Sequence, residues 1–232
     1  MIDSMAANPF SKALAMLATA GILTACTSTG VSPELGTEES FDGLRRVENS
    51  RASKAWMRPD FDVSSYTKVR LEGAGIEFQP VRRGGTSTSS GRAFPVTEAQ
   101  EARLVEILVS AFREELARSE RFELVETKGP DVLTLWGGLL DVVSFVPRQR
   151  PGRGDVFLRS VGEATLVIEL RDSLSHATLA RVMDRRAANR VGNTSRSSPV
   201  TNWAEVRRVA RRWATLVRTR LDASAHWRLA GG

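Results

Sequence analysis

Few side chains in this sequence combine the type and spacing that chemistry requires. Cys26 is the single cysteine, so the chain has no internal partner for a disulfide or a paired thiolate metal site. It closes the segment Leu23-Thr24-Ala25-Cys26, behind the short apolar run 13–22 and its flanking Lys12. A lone thiol there is either a buried free cysteine at the end of a core helix or a residue reserved for modification. The carboxylates Glu163, Glu169, Asp172 and Asp184 are a second candidate group. Two of them face to face would support acid–base work. Cross-strand pairing with Arg171, Arg181, Arg185 and Arg186 would instead make them solvent-face ion pairs worth about a few tenths of a kcal/mol each. Asp172 is expected to shape a turn by accepting from N–H groups two residues on. The third group is Arg207, Arg208, Arg211, Arg212 and Arg218. Interleaved with Trp203 and Trp213, they form either a solvated helix face or a contact for lipid phosphates or an acidic partner.

Other patterns with strict spacing are missing. There is no Gly-x-Ser-x-Gly nucleophile elbow and no Gly-rich phosphate loop ending in Lys-Ser/Thr. His176 and His226 are the only histidines and lack ligand spacing. No metal site, catalytic residue or cofactor is expected. Gly152-Arg153-Gly154, without a following helix, reads as a turn.

A bilayer-spanning helix needs about 20 apolar residues. The run before Cys26 is shorter, and a positive residue, an apolar stretch and small residues in that order make a secretory signal. Met5 serves as a start equally well. Residues 23–26 resemble the lipobox of bacterial lipoprotein precursors, which implies diacylglycerol transfer to the Cys26 thiol, cleavage before it and acylation of the new amine. A single acyl chain holds only marginally, at about 0.8 kcal/mol per buried methylene, so several chains make the stable anchor. The expected organisation is a signal peptide over 1–25, a lipidated flexible tether over 26–40, and one periplasmic domain over 41–230. The tether is polar and rich in Gly, Pro and Ser. Thr27 is not the aspartate that retains such lipoproteins at the inner membrane. The resemblance therefore implies the periplasm-facing leaflet of a Gram-negative outer membrane.

The net charge is +6 and 41% of residues are hydrophobic. A basic balance suits nucleic acid or an anionic membrane surface; export removes the first, so no nucleic-acid partner is expected. The partners expected are the membrane, through the acyl chains, and an envelope protein.

The elements that must position these groups follow from periodicity. Residues 41–62 read as an irregular lead-in with aromatics to bury. Val69, Leu71, Ile76 and Phe78 alternate on a strand with a bulge or bend at Gly73 and Gly75. Thr97 and Gln100 form a capping box, followed by the helical stripe Leu104, Leu108, Ala111, Phe112 and Leu116. Residues 122–125 read as a strand, and the apolar stretch 132–146 as a central strand bent at Gly137-Gly138. Residues 162–172 and 178–188 make the clearest hairpin. A second amphipathic helix starts near Thr201, with Trp203, Val206, Ala210, Trp213, Val217 and Leu221 on its inner stripe. The fold class expected is α+β, a mostly antiparallel sheet of about five strands with two amphipathic helices on one face.

Several segments together resemble the bacterial lipoproteins of the family known as domain of unknown function 3313: Phe41-Asp42-Gly43-Leu44, Pro59-Asp60-Phe61-Asp62, Tyr66-Thr67-Lys68-Val69, Val161-Gly162-Glu163-Ala164, Glu169-Leu170-Arg171-Asp172-Ser173, Asp184-Arg185-Arg186 and the terminal helix. The resemblance implies an envelope lipoprotein with a small α+β domain and brings no established activity. The family turn after Asp-Ser usually ends in Gly, where this chain has Ser175-His176-Ala177. Three functions are compatible with these observations. A non-enzymatic accessory or assembly domain would show exposed apolar patches or a free sheet edge. A periplasmic hydrolase using the hairpin carboxylates would show a pocket with strongly shifted carboxylates. A carrier of a lipid or small apolar ligand would show an apolar cavity between sheet and helices.

Cys26→Ala is expected to leave an unlipidated precursor. Metabolic labelling with a tagged fatty acid checks it; label retained by that variant would refute the anchor.

Overall fold

The computed structural model describes residues 32–79, 93–147, 157–189 and 195–224. In chain order the elements are β1 (Leu35–Glu39), β2 (Arg45–Val47), β3 (Lys54–Met57), a 3-10 turn (Val63–Ser65), β4 (Lys68–Phe78), α1 (Glu98–Leu116), β5 (Glu123–Leu124), β6 (Val132–Ser144), β7 (Phe157–Leu158), β8 (Ser160–Asp172), β9 (Thr178–Asn189), β10 (Ser195–Arg196) and α2 (Pro199–Ala223). Eight strands form one sheet in the order β1-β2-β3-β9-β8-β6-β4-β5, and β7 pairs with β10 in a separate ribbon.

The α+β class holds, but the sheet is mixed and larger than the five antiparallel strands expected. β4 pairs in parallel with both β6 and β5. The reason is α1: a helix carries the chain back along the sheet, so the strand that follows runs parallel to the one before it. β1, β2 and β3 escape a periodicity reading because strands of three to five residues hold too few alternations. Leu35–Glu39 pairs with Arg45–Val47, so the flexible tether expected over 26–40 does not extend through this segment. The lead-in is likewise more regular than expected, since β3 runs antiparallel to β9 with Trp56 opposite Arg181.

One face of the sheet carries Val69, Leu133, Leu135, Leu139, Leu166 and Ile168, all buried in a cluster with the inner stripes of both helices. The two helices run parallel, as their C-terminal ends show. Ser119 Oγ, just past α1, donates to Asp222 Oδ1 of α2 (2.5 Å), and Arg218 Nε donates to Glu115 Oε2 (3.2 Å). Their N-termini therefore lie at the same end. Both starts are capping boxes: Thr97 with Gln100, as expected, and Ser198 with Thr201. α2 begins earlier than expected because Pro199 occupies the first helical position, where its missing N–H costs nothing.

Irregularities sit where the backbone needs them. β4 shifts register between Gly73 and Gly75, as expected, and Gly75 has φ +97°. β6 departs from expectation. Its register with β8 shifts between Leu140 and Val143, around Asp141 at φ 53°, and not at Gly137-Gly138. At the β8–β9 turn, Asp172 Oδ1 accepts from Leu174 N (3.1 Å) and Ser175 N (2.7 Å), the turn-shaping role expected of it. His176 adopts φ 59°, a left-handed conformation that glycine takes freely and histidine tolerates.

Two expectations follow. A Cβ at Gly162 would meet the Val143 carbonyl oxygen at 2.3 Å, whereas one at Gly73 meets nothing within 4 Å. Gly162→Ala should destabilise by about 1–3 kcal/mol and Gly73→Ala by less than about 0.5 kcal/mol, compared by denaturant unfolding. Tyr66, the only tyrosine, donates its Oη to Asp172 Oδ2 (3.0 Å). Burial first, then that bond and the Asp172 charge, push its pKa from 10.0 up to about 12. A raised pKa means that the phenol's contribution is fully present below pH 10 and is lost as pH rises through about 12. Ultraviolet titration of the phenolate should show that late midpoint, and Tyr66→Phe should remove this part of the alkaline loss of stability.

Candidate apolar ligand site

The same helical stripes that fill the core do something else at their N-terminal ends. On α1, Ala111, Phe112 and Leu116 are buried, while Leu104 and Leu108 are only partly covered. On α2, Trp213, Val217 and Leu221 are buried, while Trp203 and Val206 are partly covered. Leu104, Leu108, Trp203 and Val206 instead wall a cavity of about 590 Å³ between the helices and the far end of β6 and β8. Leu139, Val142, Val161 and Ala164 form its floor. That volume lies in the range of small-molecule sites, roughly 300–1,000 Å³. Val200 (75% exposed), on the first turn of α2, and Phe157 (60%), on β7 opposite Arg196, stand at the same end of the molecule.

The polar groups on the wall are few and engaged. Gln100 completes the α1 cap, and Asn202 exchanges hydrogen bonds with Ser197 (3.0 and 3.2 Å). Glu163 accepts from Arg185 Nη2 (2.6 Å). Arg186 also lines the cavity; its Nε donates to Asp184 Oδ2 (2.6 Å), which also accepts from Trp213 Nε1 (3.0 Å). Asp184 Oδ1 takes the backbone N–H and the hydroxyl of Ser53 (both 3.2 Å).

The hairpin carboxylates are not brought together. Glu169 lies on the face away from the helices, in the cross-strand row Trp136, Glu169, Arg181, Trp56. It accepts from Arg171 Nη2 (2.5 Å) and Arg181 Nε (2.7 Å), while Arg181 reaches Asp42 (2.6 Å) and Arg171 stacks on Trp136 at 4.0 Å. Burial alone would raise the pKa of Asp42, but the bonds from Arg181 and Ser40 outweigh it and hold it below its ordinary value. Asp172 is also held low, first by the Ser175 N–H. Ion pairing was expected for Glu163, Glu169 and Asp184, and it is found. The solvent-face placement is corrected for two of them: Glu169 is 7% exposed, and Asp184, at 5%, lies beneath α2. The signal for Asp184 was present in the alternation, because it shares parity with Ala180, Val182 and Ala188.

The five arginines of α2 do not form one basic patch. Arg207 and Arg211 line a groove against α1 together with Arg103, Glu106 and Glu114. Arg208 contacts Glu205 and the Asn189 carbonyl. Arg212 is exposed. Arg218 is spent on Glu115 and Asp222; burial lowers its pKa, but those two bonds leave it raised overall. Trp213 packs in the core as expected. Cys26, His226 and the basic loop around Gly152 lie outside the described residues. Among the described residues no three potential ligands gather around a metal position, and no helix is long and apolar enough to cross a membrane.

No curated protein matches the sequence. Among solved structures, the PelC dodecamer from Paraburkholderia phytofirmans is 11% identical, with 66% of this chain and 89% of that one covered and a TM-score of 0.32. A Xanthomonas campestris protein of the DUF330 family is 12% identical, with coverages of 66% and 82% and a TM-score of 0.35. A putative neuraminyllactose-binding hemagglutinin homolog from Helicobacter pylori is 12% identical, with 68% and 84% covered and a TM-score of 0.33. Likenesses this distant carry no argument about activity. The model of the family described as "Protein of unknown function (DUF3313)" matches residues 34–217, and the chain belongs to that family.

Proposed function

We propose that this protein is a non-enzymatic binding domain, tethered to the periplasmic side of the outer membrane through an acylated Cys26, and that it takes an apolar ligand between its sheet and helices. The observation that supports this reading is the cavity of about 590 Å³, whose walls are the unburied ends of two helical stripes. An apolar hollow of this size forgoes contacts that a closed core would make, and ligand sites have this mostly apolar lining with a few placed polar groups. The hydrolase reading has less support. Asp184 and Glu169 project from opposite faces of the sheet, and each is neutralised by arginine.

A second reading, an accessory domain that adds a strand from a partner, draws on β4. Among the described residues β5 covers only Lys68 and Val69 of its outer edge, and an uncovered edge is a template for pairing.

The ligand reading is tested on the mature chain without its acyl chains, using a naphthylamine dye that fluoresces in apolar surroundings. Saturable binding at one site is expected, and Val206→Trp, which fills the hollow, should abolish it while leaving the unfolding midpoint unchanged or higher. Dye binding equally strong in Val206→Trp would sink the reading.

A further inference from the structure

We infer that the ligand of this cavity is a single-chain anionic amphiphile, its chain among the apolar walls and its head at Arg186. The inference rests on the proposed ligand site and adds the number of chains and the sign of the head.

Volume limits the chain number. A methylene takes about the space of one liquid water, roughly 30 Å³. The cavity of about 590 Å³ therefore holds on the order of twenty carbons. One fatty chain fits, and the two chains of a phospholipid do not.

Charge sets the head. Of the two charged side chains on the wall, Glu163 is neutralised by Arg185 at 2.6 Å. Arg186 is held by the buried Asp184 through Nε alone, and its two terminal nitrogens bond nothing else among the described residues. A guanidinium carries five N–H donors in a rigid fork, so a side chain oriented through Nε keeps its carboxylate-binding edge. Asp184 offsets the charge of Arg186, so the free edge selects the head through paired hydrogen bonds to an anionic oxygen pair, and the helices add a weaker positive bias at the mouth of the cavity. Both N-termini lie at this end, each equivalent to roughly half a positive charge. α1 offsets its own with Glu98 and Glu101 in the first turn, whereas the first turn of α2 carries no acid. Pro199 and Asn202 of that uncompensated end line the cavity.

The test uses the full-length protein in its own envelope vesicles and a photoactivatable, clickable palmitate. Crosslinked peptides are mapped by mass spectrometry while unlabelled palmitate or its methyl ester competes. Crosslinks are expected on residues 203–213 and 142–146, with palmitate competing about ten-fold or more better than the ester. Arg186→Gln should abolish that preference yet retain crosslinking, and Val206→Trp should remove the crosslinks. Equal competition by acid and ester would overturn the anionic head while leaving the apolar site standing. Crosslinks absent from these segments would overturn both.

Discussion

A buried carboxylate with four donors around it is the point on which this fold turns. Asp184 is 5% exposed on the helix-facing side of β9. An unpaired charge there would cost several kcal/mol, and removing one partner of such a group typically costs about 3–5 kcal/mol. Its donors come from three separate parts of the chain: Ser53 before β3, Arg186 of the same strand and Trp213 of α2. Satisfying one side chain therefore locks the β1–β3 end, the hairpin and α2 together. Trp213 is then held with its ring at the inner end of the apolar hollow, and Arg186 is turned onto the wall. The same interaction that docks α2 also shapes the candidate site.

The two faces of the sheet solve different problems. Beneath the helices, leucine, isoleucine and valine from β4, β6 and β8 close the core. On the other face, Asp42, Arg181, Glu169 and Arg171 form a continuous charged chain laid over Trp136. Each of its members is partly or wholly covered, so the pairing offsets desolvation more than it adds stability. The helices are clamped at one end by Glu115, Arg218, Ser119 and Asp222. Toward the other end Arg208 of α2 reaches the Asn189 carbonyl of β9, and between the two helices there the hollow opens.

Much of the local structure was legible in the residues. The Asp172 turn and the Thr97 capping box depend on bonds between residues at most a few positions apart, the β8–β9 hairpin grows outward from that turn, and each is found as expected. The inner stripes of both helices were also readable, because 3.6-residue periodicity is local. The failures share one cause. β1 and β2 are too short for a period to show, and β4 and β6 lie on opposite sides of a helical crossover. The face to which Asp184 points is set by a strand register that a local reading of charge overlooks.

The sequence by itself determined the α+β class, the hairpin, the caps and stripes of the helices, and the family resemblance that the match over residues 34–217 bears out. All of these rest on short-range geometry and composition. Only the tertiary structure decided that the sheet is mixed, that Asp184 meets Ser53 and Trp213 beneath α2, and that the apolar stripes outrun the core to leave a cavity. These depend on which distant segments meet. That is decided by burying apolar surface and satisfying buried charge across the whole chain, which no window of neighbouring residues contains.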